Sequence, residues 1–122
     1  MKKLLLLLVS SILLGPAYGQ LLNSSFESWN STSYDEPTGW QTGNKEAASL
    51  GLTPVTRTTG VSGYAVRMQT ITSNGDTAQA FIANGDPMSG EGGIPFAEQP
   101  TAISGSYRYN LPGNDTALIL VL

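Results

Sequence analysis

Apolar and polar residues alternate singly along much of this chain. In residues 64–70, Tyr64, Val66 and Met68 fall on one face and Arg67 and Gln69 on the other, the two-residue period of a half-buried strand. Residues 77–83 set Ala78, Ala80 and Ile82 opposite Thr77, Gln79 and Phe81. Residues 102–109 set Ile103, Tyr107 and Tyr109 opposite Ser104, Ser106 and Arg108. Shorter strands are predicted at 21–26 and 55–59, separated by a polar loop at 30–38 and by a segment, 43–52, with room for a short helical turn. No window after Gln20 carries apolar residues at the helical i, i+3, i+4, i+7 spacing. Asn74-Gly75-Asp76, Asn84-Gly85-Asp86 and Pro112-Gly113-Asn114-Asp115 supply turns, because Gly tolerates positive φ and Asn or Asp bonds back to nearby backbone. Strand, turn, strand throughout predicts an all-β antiparallel sandwich or barrel.

Residues 116–122 are apolar on both faces and read as a central, well-covered strand. The sequence stops inside that strand, with no turn or partner after it, an edge that folded proteins normally avoid. A sandwich of this kind has about eight strands. Five or six are visible here, so the domain is expected to be truncated at its C-terminus.

The N-terminus has a different pattern. Lys2 and Lys3 precede an apolar run from Leu4 to Leu14, interrupted by Ser10 and Ser11 and ended by Gly15-Pro16. Ala17-Tyr18-Gly19 then places small residues at the −3 and −1 positions before Gln20. The pattern predicts a cleaved export leader over residues 1–19, leaving a mature domain of residues 20–122. A membrane anchor is disfavoured on length, since eleven helical residues span about 16 Å against about 30 Å of hydrocarbon. No Cys follows the run, so lipid attachment at an N-terminal cysteine is impossible. The mature chain is expected to be secreted, periplasmic or at the cell surface. An exported chain without disulfide staples fits a bacterial source.

Composition narrows the chemistry. With 40% hydrophobic and 12% charged residues, 14 Gly and 7 Pro, the chain is turn-rich and folded rather than disordered. Zero Cys and zero His remove thiol nucleophiles, the usual zinc sites and imidazole acid–base catalysis. Losing Lys2 and Lys3 with the leader takes the formal charge from −3 to −5, the wrong sign for a nucleic-acid binder.

Several motifs in order then carry a resemblance. Asn23-Ser24-Ser25-Phe26-Glu27, followed by Glu36-Pro37-Thr38-Gly39-Trp40, resembles the opening of jelly-roll carbohydrate-binding modules, in which N-G-x-F-E precedes P-x-G-W; Ser24 replaces the usual Gly. Ser62-Gly63-Tyr64-Ala65-Val66 resembles their next core strand. Gly93-Ile94-Pro95-Phe96, Pro100 to Tyr109 and Gly113-Asn114-Asp115-Thr116-Ala117 resemble successive segments of the bacterial carbohydrate-metabolism domain (PCMD) family, with departures at Gln99 and Ser106. The resemblance covers the whole mature chain. It implies an antiparallel jelly-roll β-sandwich in a setting of polysaccharide utilisation. It also implies a structural calcium held partly by Glu27, a role calcium suits because it takes six to eight oxygen ligands in loose geometry.

Candidate sugar-binding groups are Trp29, Tyr34, Arg67, Gln69 and Arg108. Aromatic rings pack against the C–H face of a sugar, while guanidinium and amide groups match its hydroxyls. Trp29 borders the polar loop that holds Tyr34, and loops at sandwich ends carry ligand contacts. Trp40 reads instead as a core ring. Arg67, Gln69, Gln79 and Arg108 also fit a solvated sheet face with cross-strand polar pairs. Three Asn-x-Ser/Thr sites, at Asn23, Asn30 and Asn114, are discounted as chance matches to a short pattern. Two function classes follow: a non-catalytic module that binds polysaccharide or oligosaccharide, and a structural or adhesive module that packs against other surface proteins. A glycoside-active enzyme needs two carboxylates about 5–10 Å apart, and the nine acidic residues form no recognisable pair in sequence.

Overall fold

The structure, a computed structural model, describes residues 21–87, the backbone of 91–92, and residues 100–121. The leader at 1–19, the motif at 93–96 and Gln99 lie outside the described residues. The strands are β1 (Trp29–Ser31), β2 (Asp35–Pro37), β3 (Trp40–Thr42), β4 (Val55–Thr59), β5 (Tyr64–Met68), β6 (Ile71–Ser73), β7 (Asp76–Ala78), β8 (Ile82–Asp86) and β9 (Glu91–Gly92). Among the described residues the one α-helix, α1 (Asn44–Ala47), runs into a 3-10 turn at Ala48–Leu50, which Gly51 closes in the left-handed region. The chain is therefore β-rich, as its alternation predicts, with the short helical turn in the predicted place. The strands pair antiparallel in four small sheets: β1–β2, β3–β8–β9, β4–β5 and β6–β7.

The longest hairpin follows directly from its sequence. Val55 pairs with Met68 and Thr59 with Tyr64, and β-branched residues fill β4. Asn74 and Gly75, with φ of 53° and 89°, form the tight turn between β6 and β7 that an Asn-Gly pair favours. The Pro112–Asp115 turn is also present, closed by Asp115 N–H donating to the Pro112 carbonyl at 3.2 Å.

Other segments depart from the prediction. Residues 21–26 make a turn, not a strand. Asn23 and Phe26 take positive φ, and the Asn23 carboxamide bonds both the N–H and the carbonyl of Ser28, so a side chain takes the place of a ladder partner. The single strand expected over 77–83 is two. Past Ala78 the backbone leaves β6 and crosses the start of α1, where Gly43 N–H donates to the Phe81 carbonyl at 3.2 Å, then joins β3 as β8. Asn84-Gly85-Asp86 lies within β8 instead of forming a turn, because Asn84 pairs with Trp40 and Gly85, at φ 96°, with Gly92. Residues 102–109 and 116–121 join no ladder and are exposed. Alternation chooses which side chains share a face, but a strand also needs a neighbour for its backbone groups, and these segments have none among the described residues.

The described core is small. Val55 is fully buried, with Ala47, Ala78, Thr42, Asn44, Pro37 and Pro54 around the junction of β2, β3, α1 and β4. Asn44 is its hub. Its amide donates to the carbonyls of Asp35 and Val55, both at 2.7 Å, and its oxygen accepts from Val55 N–H at 2.9 Å. The predicted burial of Tyr64, Val66 and Met68 is only partly realised. Val66 is half-buried, while Tyr64 and Met68 are about half exposed, since a two-stranded hairpin has little to cover that face. Arg57, on the same face, lays its guanidinium 4.6 Å from the Tyr64 ring centre.

Candidate functional site

The half-buried tryptophans are both engaged by the chain. Trp29 Nε1 donates to the Phe26 carbonyl and Trp40 Nε1 to the Leu22 carbonyl, each at 2.8 Å. The Trp40 ring also packs on Phe26, with centroids 5.1 Å apart and planes tilted by 46°. Both indoles thus clamp the 22–26 turn, using the polar edge and the apolar body of each ring together. For Trp40 this is the packing role its motif suggested. For Trp29 it fixes the ring edge against the Phe26 carbonyl.

Tyr34 is half-buried in the β1–β2 loop, where its carbonyl accepts from Thr32 N–H at 3.1 Å. Arg67 and Gln69 meet on an exposed face of the β4–β5 hairpin, with Arg67 Nη2 donating to Gln69 Oε1 at 2.7 Å. Trp29 lies in β1 and Tyr34 in the β1–β2 loop, whereas Arg67 and Gln69 lie on and just past β5 in a different sheet. Arg108 is exposed, between Tyr107 and Tyr109 in the chain.

Glu27 has a definite role. Its Oε1 accepts from Tyr64 N–H at 2.8 Å and so holds the turn between β4 and β5 against the N-terminal segment. Gly63, with φ +65°, leaves the space the carboxylate fills. The Tyr64 N–H takes one lone pair of Oε1 and leaves Oε2 open. Among the described residues no three His, Cys, Asp or Glu side chains come together.

Residues 100–121, which alternation and apolar content predict to pack inward, carry an exposed surface instead. Tyr107 and Tyr109 are 79% and 71% exposed, with ring centroids 6.3 Å apart and planes within 21°. Across the Pro112–Asp115 turn they share a shallow cavity of about 360 Å³ with Leu111, Ala117 and Ile119. The Tyr-x-Tyr spacing signals that the two rings share a face, though not whether that face is covered. Ile119 in the cavity and Leu118, Leu120 and Val121 beside it are each more than 60% exposed.

Among the described residues no helix is long and apolar enough to cross a membrane. No family model, curated protein or solved structure matches the chain.

Proposed function

We propose that this chain is an exported, non-catalytic β-sandwich of the jelly-roll type that binds polysaccharide or oligosaccharide, with Tyr107 and Tyr109 as its aromatic platform. The carrying observation is the exposed, nearly parallel tyrosine pair above an apolar floor of Leu111 and Ile119. Two exposed rings in mutual contact and of similar orientation offer a sugar's C–H faces an aromatic surface. Arg108 adds an exposed guanidinium for hydroxyl or carboxylate groups. The leader read at residues 1–19 and the order of the PCMD-like motifs support a setting in bacterial polysaccharide utilisation, at the surface, in the periplasm or outside the cell.

Affinity electrophoresis in gels containing neutral and acidic polysaccharides tests this reading. Retardation is expected in at least one gel, and the Tyr107→Ala/Tyr109→Ala variant is expected to lose it, each truncation weakening binding about tenfold. Equal mobility of wild type and variant in every gel refutes the platform.

The exposed row from Leu118 to Val121 favours a second reading, a structural or adhesive module docking on another surface protein. That reading predicts unretarded migration in every gel, together with capture of a protein partner that Leu118→Ser/Leu120→Ser abolishes.

A further inference from the structure

We infer a second ligand site, a groove for a single hexopyranose ring between α1 with its 3-10 turn and the crossing segment 77–81. It rests on the carbohydrate reading above but uses none of the same residues. The cavity is about 280 Å³, close to the roughly 300 Å³ at which small-ligand pockets begin, and therefore suited to one ring rather than a chain. Buried Ala47 and Ala78 make its floor, and Leu50 and the half-buried Phe81 add apolar walls. Glu46 and Gln79, both exposed, stand at its margin.

Three observations make this more than a surface crease. The first is chemical: an apolar floor and one aromatic ring match the C–H face of a pyranose, while a carboxylate and a carboxamide match its vicinal hydroxyls as acceptor and donor. The second is that neither the Glu46 carboxylate nor the Gln79 amide has a hydrogen-bond partner among the described residues, so both are free for a ligand. The third is how the groove is held. Gly43 N–H donates to the Phe81 carbonyl, and a Cβ at Gly43 would overlap the Gln79 carbonyl oxygen, so only glycine lets the two walls approach this closely. Thr77, Gln79 and Phe81, which the sequence sets on one face of a strand, all line this groove although that strand is broken at Ala78. Glu46 also sets selectivity. It welcomes neutral hydroxyls or an ammonium and repels a carboxylate, so a neutral or amino hexose is expected and a uronic acid excluded.

Saturation-transfer NMR of the full chain with methyl glucoside, glucosamine and methyl glucuronide tests the site. Saturation is expected for the first two and little for the third. Glu46→Ala/Gln79→Ala is expected to weaken binding at least tenfold. Both residues are exposed, so the fold should survive, and an unchanged melting curve establishes that it has. Leu50→Ser serves as an independent probe of the apolar wall, with a further loss expected. Absence of transfer to any of the three, preference for the glucuronide, or transfer unchanged in the double variant overturns the groove. The Tyr107→Ala/Tyr109→Ala variant separates the two sites. Groove binding that survives there while polysaccharide retardation is lost supports both. Transfer lost in that variant but kept in Glu46→Ala/Gln79→Ala overturns the groove alone, and a groove that binds in a chain no gel retards stands without the platform.

Discussion

Replacing Asn44 by alanine tests the idea that one carboxamide holds two of the small sheets together. Asn44 is fully buried and makes three short hydrogen bonds, one to β2 through the Asp35 carbonyl and two to Val55 at the start of β4. Val55 faces Met68 where the ladder of the β4–β5 hairpin does not use its N–H or carbonyl; the neighbouring bond is Gln69 N–H to the Pro54 carbonyl at 2.9 Å. Val55 therefore has Asn44 as the partner for both of its outward backbone groups, and it is itself fully buried. Each bond contributes about 0.5–1.5 kcal/mol net, and each buried group left without a partner costs about 1–3 kcal/mol. Asn44→Ala should then lose about 3–5 kcal/mol, a large share of the roughly 5–15 kcal/mol that holds a domain together. Urea unfolding followed by fluorescence reads this as a lower midpoint at unchanged slope. Asn44→Asp keeps the shape but faces two carbonyls with a carboxylate, so at neutral pH it should lose at least as much as the alanine variant. A loss below about 1 kcal/mol in Asn44→Ala would mean that water takes over these bonds, and the keystone argument fails.

Two smaller perturbations probe the Glu27 latch. Gly63→Ala combines a positive φ with a Cβ placed against the Glu27 carboxylate, and should cost about 1–2 kcal/mol or more, read as a drop in thermal midpoint; a neutral effect would show that Glu27 does not hold this turn. If Glu27 serves only as a latch through its bond from Tyr64 N–H, adding a chelator leaves the melting curve of the wild-type chain unchanged. A fall in midpoint on chelation that calcium restores would put a cation there after all.

Local features were legible wherever the chain carries its own punctuation. The β4–β5 hairpin, the Asn74-Gly75 turn, the helical turn after Gly43 and the Pro112–Asp115 turn all follow from residues adjacent in sequence. What escaped depends on partners distant in sequence. Asn84-Gly85 carries the same dipeptide as Asn74-Gly75, yet it lies inside a strand because β3 and β9 flank it. The candidate site shows the same division. Arg67 and Gln69 are two residues apart on one face, and they do meet. Trp29 was open between platform and packing because the Phe26 carbonyl that takes its N–H depends on a left-handed turn at Phe26, where β-propensity favours a strand. Tyr107 and Tyr109 are exposed although apolar alternation normally marks a core face, because periodicity carries no information about what covers that face.

The two asparagine side chains explain how such short strands keep their geometry. A carboxamide has the same donor and acceptor spacing as a peptide group, so it can pair with both the N–H and the carbonyl of one residue, as an adjacent strand does. Asn23 does this to Ser28, and Asn44 does it to Val55. Strands of three to five residues in two-stranded sheets leave many backbone groups unpaired, and a buried unpaired group is costly. Where a third strand would normally lie, this chain uses a side chain that occupies one position instead of five. Asn44 goes further, since its second amide hydrogen reaches β2 and ties a second sheet to the same point. The cost of the arrangement is concentration: ladder bonds spread over many residues tolerate substitution, but three bonds on one carboxamide do not. Stability should therefore depend far more on Asn44 than on any single exposed position in β4 or β5.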